Sequence, residues 1–119
     1  MLSNIDVVCQ KISLIVRKFF EWIENIAQLN PRDEAAIHRK VGKKHLERGR
    51  IEDAIQEFKK AMGLDPNDIG ATIDLGAAYH KNKMYDEALF SWGKVIKIDP
   101  GNQTVKKKID ECRIFLKKQ

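Results

Sequence analysis

The sequence predicts an all-α chain in which helical hairpins stack into an α-solenoid, with one further helix at each end. Residues 51–66 (IEDAIQEFKKAMGLDP) are echoed 34 positions later by residues 85–100 (YDEALFSWGKVIKIDP). In both stretches the apolar residues recur at the spacing of an amphipathic helix. The chain has 119 residues, of which 43% are hydrophobic and 33% charged, with only three prolines, and this composition suits one compact helical domain.

The repeated unit is 34 residues long and occurs twice, at 35–68 and at 69–102. Gly42 of the first copy falls on Gly76 of the second. The apolar pattern predicts two amphipathic helices in each unit. An Asp-Pro pair ends the second helix of each unit, because the residue before a proline is disfavoured in the helical conformation. The helices of the first unit are expected at 35–48 and 51–63. Each unit is therefore predicted to be a helical hairpin.

The repeat resembles the tetratricopeptide repeat family, whose pattern of about 34 residues has Leu-Gly, Tyr, Ala, Phe and Pro at fixed intervals. The matching residues are Gly42, His45, Ala54, Phe58 and Pro66 in the first copy and Gly76, Tyr79, Ala88, Trp92 and Pro100 in the second. The small residues let the two helices approach closely, and the aromatic residue fills the space between them. The departures are His38 and Thr72 where the family favours Trp, His45 where it favours Tyr, and Val95 where it favours Ala.

Both flanks of the repeats are expected to be helical, because two repeats are fewer than the roughly three that such arrays usually need. Residues 103–119 place one apolar stripe on a charged helix, as a C-terminal capping helix should. The stripe consists of Val105, Ile109, Cys112 and Leu116. Residues 1–30 are predicted to form a long amphipathic helix of about 28 residues, about 42 Å long.

The N-terminal helix has a wide apolar stripe that we interpret as an oligomerisation element. The residues assigned to this role are Ile5, Val8, Ile12, Ile15, Phe19 and Trp22. An apolar surface of this size rarely stays exposed on a monomer, so the sequence predicts a homodimer or small oligomer, with the helix packed against or swapped into a second copy. The alternatives are a helix that bends back on its own repeats and one that lies on a membrane surface.

No pattern in the sequence indicates catalysis, a metal site or a cofactor, so we expect a protein without enzymatic activity. The three histidines, His38, His45 and His80, lack the HExxH spacing and have no neighbouring cysteine that would complete a metal-binding pair. His38 and His45 are interpreted as residues at the edge of the core, because they replace core aromatic residues of the family pattern. A glycine-rich phosphate loop is also lacking in the sequence.

The cysteines and the charge pattern favour a cytoplasmic protein. Cys9 and Cys112 lie on the apolar sides of their helical patterns, where a free thiol behaves as a small hydrophobic group, and this favours a reducing compartment. No basic start with an unbroken apolar run marks a secretory signal. Asp6, Lys11 and Arg17 interrupt the N-terminal apolar segment, which excludes a membrane span over it.

The family resemblance implies that the first helix of each unit lines a concave groove for a peptide or a partner helix. The groove residues would be Arg39, Lys40 and Lys43 from the first unit, Ile73, Asp74, Ala77 and His80 from the second, and Lys107 and Lys108 from the C-terminal helix. Because basic residues outnumber acidic ones, an acidic or carboxylate-ended segment of a protein is the expected ligand, although Asp74 would repel a carboxylate. Alternatively, the basic residues form an ordinary solvated helix face.

Two other functions compete with peptide binding. Nucleic-acid binding is suggested by the run Lys106-Lys107-Lys108 and by Lys117-Lys118, which together could neutralise several phosphates, but no aromatic residues are interleaved for base stacking. The second alternative is a structural protein that assembles with copies of itself and has no groove ligand. The interpretation that we carry forward is an adaptor or scaffold that binds a partner protein and self-associates through its N-terminal helix.

Overall fold

The computed structural model describes residues 2–28 and 30–118, and the regular elements of these residues are six α-helices. They are α1 (Leu2–Ala27), α2 (Pro31–Glu47), α3 (Ile51–Leu64), α4 (Ile69–Lys81), α5 (Tyr85–Ile98) and α6 (Gln103–Lys117). The predicted all-α architecture is therefore confirmed. The predicted flanking segments 1–30 and 103–119 also contain Met1, Leu29 and Gln119, which lie outside the described residues.

The contacts divide the chain into two compact units, Met1–Asn30 and Pro31–Gln119. The composition suggested one compact helical domain. Among the described residues, the buried apolar side chains all come from the second unit, whereas the large apolar side chains described for α1 are exposed.

In the second unit each helix packs on the next one along the chain. α2 packs on α3 and α4 on α5 as two hairpins, α3 packs on α4 between the hairpins, and α5 packs on α6. The residues of the core are Ala54, Ile55, Phe58, Leu75 and Ala78 in one cluster, Ala88, Trp92, Val95, Val105 and Cys112 in a second, and Ala35, Ala61 and Ala71 in a third. Each hairpin therefore buries apolar surface on its neighbour, as stacked repeats require.

The first helix of the first hairpin begins earlier than the sequence analysis predicted. α2 starts at Pro31, four residues before the expected start at residue 35. Proline is favoured at the first helical position because its backbone has no N–H to leave unpaired and its φ is already helical. Asp33 and Glu34 add negative charge to the first turn, where it interacts favourably with the helix dipole.

The turns inside the two hairpins have the same backbone geometry. Gly49 has φ +76° and Lys83, which occupies the same position of its unit, has φ +60°. The N–H of Arg50 donates to the carbonyl of His45 and the N–H of Met84 to that of Tyr79, both at 2.9 Å. A residue in the left-handed backbone conformation ends the first helix of each hairpin in this way. Glycine adopts this conformation without strain, whereas lysine does not.

α6 begins like the first helix of a further unit. The Asp68 side chain caps α4 by accepting a hydrogen bond from the N–H of Ala71 at 3.2 Å. Asn102, one repeat later, caps α6 by accepting from the N–H of Val105 at 3.1 Å. Such caps satisfy backbone N–H groups that have no partner inside the helix. α6 therefore covers the second hairpin in the way that α4 covers the first.

Glycine and an aromatic ring fit together in each hairpin, as the family pattern implies. Phe58 is fully buried and Trp92 is 2% exposed. A Cβ on Gly42 would lie 2.7 Å from Cε1 of Phe58, and a Cβ on Gly76 would lie 2.6 Å from Cδ1 of Trp92. The indole Nε1 of Trp92 also donates to the carbonyl of Ile73, at 3.3 Å. These positions have no room for any side chain larger than that of glycine.

Candidate functional site

The predicted groove residues lie on α2, α4 and α6, the helices that begin the two units and the cap. We call the surface that these three helices share the groove face. Two pockets open on it. The first has a volume of about 270 Å³ and is lined by Ala36, Arg39, Lys40, Lys43 and Asp68. The second has a volume of about 340 Å³ and is lined by Gln103, Thr104, Lys107, Lys108 and Glu111.

Arg39 joins the two repeats. Its Nε donates to Oδ2 of Asp74 at 2.7 Å, and its Nη1 lies 3.8 Å from Oδ1 of Asp68. The guanidinium also lies against Gly70, where a Cβ would overlap it. Planar guanidinium groups are suited to such partly buried pairs. Arg39 is therefore held by the fold, and two carboxylates compensate its charge.

Asp74 does not act as an isolated negative charge on the groove face. Besides its bond with Arg39, its Oδ2 lies 3.9 Å from Nζ of Lys43, whose side chain is about half exposed. The repulsion of a ligand carboxylate that the sequence suggested is therefore offset by two neighbouring cations. Because Asp74 partly neutralises Arg39 and Lys43, these two cations attract a ligand carboxylate less strongly than unpaired cations would.

Lys40 and Lys107 are the lysines of the two pockets whose charges are least compensated. Both residues are exposed. Within the described part of the chain, neither ammonium group has a carboxylate within the 4.0 Å of an ion pair. Lys108 differs, because it is partly buried and its Nζ lies 5.9 Å from the centre of the Trp92 ring. The run at 106–108 is consequently not one uniform basic patch, since successive helical residues point in different directions.

The middle of the groove face belongs partly to the core. Ile73 and Ala77 are partly buried and pack against the cluster around Trp92. His80 lies among aromatic rings, with centroid distances of 5.3 Å to Tyr85, 5.9 Å to Trp92 and 5.5 Å to Phe115. Ile73 and Ala77 therefore contribute only a small apolar area to the groove face.

Sequence reasoning missed Tyr85 and Phe115, whose rings stack at 6.0 Å beside His80. Phe115 is 47% exposed and lies next to the predicted stripe of α6. The sequence did contain one signal for this cluster, because Phe115 is a large aromatic residue that lies outside the predicted apolar stripe of α6.

The other two histidines have structural environments at the edge of the core. The Nδ1 of His38 lies 2.6 Å from Oε2 of Glu57, which links α2 to α3. This hydrogen bond, together with Lys60 at 3.1 Å, holds the pKa of Glu57 below its ordinary value, against the opposing effect of burial. Among the described residues, Nδ1 of His45 is a buried polar atom without a hydrogen-bond partner.

The six predicted oligomerisation residues all lie on α1 and are all exposed. Their exposed fractions are 63% for Ile5, 54% for Val8, 55% for Ile12, 67% for Ile15, 55% for Phe19 and 59% for Trp22. The rings of Phe19 and Trp22 stack on each other along the helix at 6.0 Å. α1 thus presents a continuous apolar stripe.

Among the described residues, none of the helices is long and apolar enough to cross a membrane. In the same ranges, 2–28 and 30–118, no group of three or more His, Cys, Asp or Glu side chains is placed to hold a metal ion.

Two family models match the part of the chain that forms the hairpins. The model described as TPR repeat matches residues 42–83, and the model described as tetratricopeptide repeat matches residues 71–102. The chain belongs to the tetratricopeptide repeat family. This is a family of non-catalytic repeat proteins, and its repeats form protein–protein interaction modules.

Three relatives show how far the similarity extends. Superkiller protein 3 of Saccharomyces cerevisiae is 34% identical over 64 residues, which are 54% of this chain and 4% of that protein. The tetratricopeptide repeat domain-containing protein PYG7, chloroplastic, of Arabidopsis thaliana is 28% identical over 81 residues, 68% of this chain and 27% of that protein. The uncharacterized protein ycf37 of Cyanophora paradoxa is 28% identical over 108 residues, 91% of this chain and 62% of that protein. The chain thus spans less than two thirds of the length of each.

Proposed function

We propose that this tetratricopeptide repeat protein is an adaptor whose groove face binds an acidic segment of a partner protein. The observation that supports this most is the pair of pockets at the two ends of the groove face, each with one exposed and uncompensated lysine, Lys40 and Lys107. Exposed charges of one sign at a recognition surface steer and orient a partner of opposite charge.

The spacing of the pockets determines the kind of segment that fits. The pockets lie on α2 and on α6, with α4 between them. Helices side by side lie about 8 Å apart or more, so the two spacings amount to at least about 16 Å. An extended chain covers about 3.3 Å per residue, so a segment of at least about five residues reaches from one pocket to the other. The proposed ligand is an extended segment with acidic residues near both ends of such a stretch.

Quantitative capture from native lysate tests this function. The test variant is Lys40→Glu with Lys107→Glu, and the matched control is Lys44→Glu with Lys106→Glu, which changes the same charge on the same two helices outside the pockets. Arg39 is left intact because its replacement would remove the partly buried cation that contacts both Asp74 and Asp68 and would disturb folding. The groove hypothesis expects proteins that the wild type and the control retain and the test variant loses. Equal retention by all three would contradict it.

We also propose that the chain self-associates through α1. The support is the exposed apolar stripe described above, because such a surface on a monomer usually marks an interface. The charged residues of α1 lie mostly on the opposite side, which is the pattern of a helix that packs along one face. The occupant of that face would be α1 of a second copy.

Light scattering coupled to size exclusion tests self-association. Ile12→Glu with Ile15→Glu should reduce the mass to that of one chain, whereas Gln10→Glu with Ser13→Glu, on the polar side, should leave the assembly intact. A wild-type chain that elutes as a monomer at tens of micromolar would end this proposal. Deletion of residues 1–18 should give a monomer that keeps the helices of the second unit.

A reducing compartment such as the cytoplasm is part of this proposal. Cys9 is exposed and free, and Cys112 is free and fully buried. The Cys112 thiol lies 3.6 Å from the carbonyl of Tyr85, and burial raises its pKa, so it is a core residue of low reactivity.

A further inference from the structure

A third pocket opens away from the groove face, between the second helices of the two hairpins. It has a volume of about 370 Å³. Its lining consists of Lys59, Met62 and Gly63 of α3, Leu75 and Tyr79 of α4, and Glu87, Phe90, Ser91 and Lys94 of α5. At about 100° per residue, Leu75 and Tyr79 lie about 200° around α4 from Ile73 and Ala77. We call this site the α3–α5 pocket.

We propose that the α3–α5 pocket binds a segment of a partner protein that carries a large apolar side chain next to a carboxylate. The inference goes beyond the proposed function, because it assigns a second binding surface to a different face of the repeats. It rests on the apolar floor of the pocket and on the charges at its rim.

The floor has apolar surface that the fold leaves uncovered. Leu75 is buried, Met62 and Tyr79 are partly buried, and Phe90 is 67% exposed beside them. A Cβ at Gly63 would meet no heavy atom within 4 Å, so this wall is open. Pockets that bind a ligand combine such an apolar lining with a few placed polar groups.

The rim has an excess of positive charge. Lys59 and Lys94 stand on α3 and α5, and neither ammonium group has a carboxylate within 4.0 Å in the described part of the chain. The Nζ of Lys94 lies 4.6 Å above the centre of the Phe90 ring, so a positive charge and an exposed aromatic ring lie side by side at the rim of the pocket. Glu87 compensates one of the two charges at most. An occupant with a carboxylate beside its apolar group complements this rim better than a neutral or basic one does.

Selection of random displayed peptides on the intact chain tests the proposal. The blocking variant is Gly63→Leu, which fills the open wall. The matched control is Gly93→Leu, since Gly93 is also inside a helix, also has no heavy atom within 4 Å of a Cβ, and does not line the pocket. We expect peptides retained by the wild type and the control but lost on the blocking variant, with a large apolar residue close to Asp or Glu.

Fluorescence anisotropy with a synthetic copy of a selected peptide then measures how much each substitution weakens peptide binding. Gly63→Leu should weaken binding at least about tenfold, and Gly93→Leu should change it less than about twofold. Lys59→Gln and Lys94→Gln should each weaken it about twofold to fivefold, as expected for exposed charges. The variant with Lys40→Glu and Lys107→Glu should bind this peptide normally, so failure of the groove hypothesis remains distinguishable.

Three results would overturn the proposal. The first is the absence of any peptide whose binding depends on Gly63. The second is a consensus without acidic residues. The third is a wild-type oligomer that Gly63→Leu dissociates and Gly93→Leu does not, because this would assign the pocket to a second copy of the chain.

Discussion

Replacement of Gly76 by alanine should destabilise the protein, although alanine normally stabilises a helix. The added methyl carbon would lie 2.6 Å from Cδ1 of Trp92, well inside van der Waals contact, and closer still to Nε1. Trp92 cannot retreat easily, because it is 2% exposed and its Nε1 donates to the carbonyl of Ile73.

The magnitude follows from opposing contributions. Overpacking of this kind costs about 1–3 kcal/mol, and loss of the indole hydrogen bond costs about 0.5–1.5 kcal/mol. The change from glycine to alanine inside a helix returns about 0.5–1 kcal/mol. Gly76→Ala should therefore lower the free energy of unfolding by about 0.5–4 kcal/mol. Gly93→Ala, where the methyl group meets open space, should raise it by about 0.5–1 kcal/mol.

Urea unfolding followed by circular dichroism measures both changes, at a dilution that leaves the chain monomeric so that association does not contribute. Trp92→Leu serves as a second background, because in it the cost of Gly76→Ala should shrink if the clash is with the indole. The packing argument fails if Gly76→Ala and Gly93→Ala shift the unfolding midpoint in the same direction by the same amount.

Three further predictions concern stability. Trp92→Ala should cost about 3–5 kcal/mol and Trp22→Ala less than about 0.5 kcal/mol in the same urea assay, and equal shifts would contradict the assigned packing. Lys83→Gly should raise the unfolding free energy by about 1 kcal/mol, because it removes a side chain from a left-handed position, and unchanged stability would argue against that turn. The pKa of Glu57 is lowered by its hydrogen bond with His38, so this carboxylate stabilises the fold above its unfolded-state pKa and loses that contribution as the pH falls through its folded-state pKa. Between about pH 6 and about pH 3, Glu57→Gln should lose less stability than the wild type, and parallel curves would exclude the effect.

The fold was predictable because the small and aromatic residues that pack the helices together recur at fixed positions of the repeat. The pairing of Gly76 with Trp92 is what the family resemblance implies, and the structure places the two in contact. The matching turns at Gly49 and Lys83 were visible only as breaks between apolar stretches, since the sequence does not report that Lys83 has a positive φ. The start of α2 at Pro31 was missed because a proline both ends and begins helices.

The groove face was less predictable than the fold. Arg39 and Asp74 are 35 positions apart, and their contact depends on how two repeats stack, which no local pattern reports. The α3–α5 pocket is likewise a property of packing, because its walls come from three helices. Position within the repeat predicted which helices would carry the groove residues, but it did not show which of their charges are already paired.

The central claim, that the groove face binds an acidic partner segment, is tested most directly by photo-crosslinking. A benzophenone amino acid would replace Ala36 in the first pocket or Thr104 in the second, with Glu52, an exposed residue of α3 outside all three pockets, as the control position. We expect Ala36 and Thr104 to crosslink to the same acidic segment of a partner and Glu52 to give no such product. A partner that crosslinks only from Glu52, or a basic segment at Ala36 and Thr104, would contradict the claim.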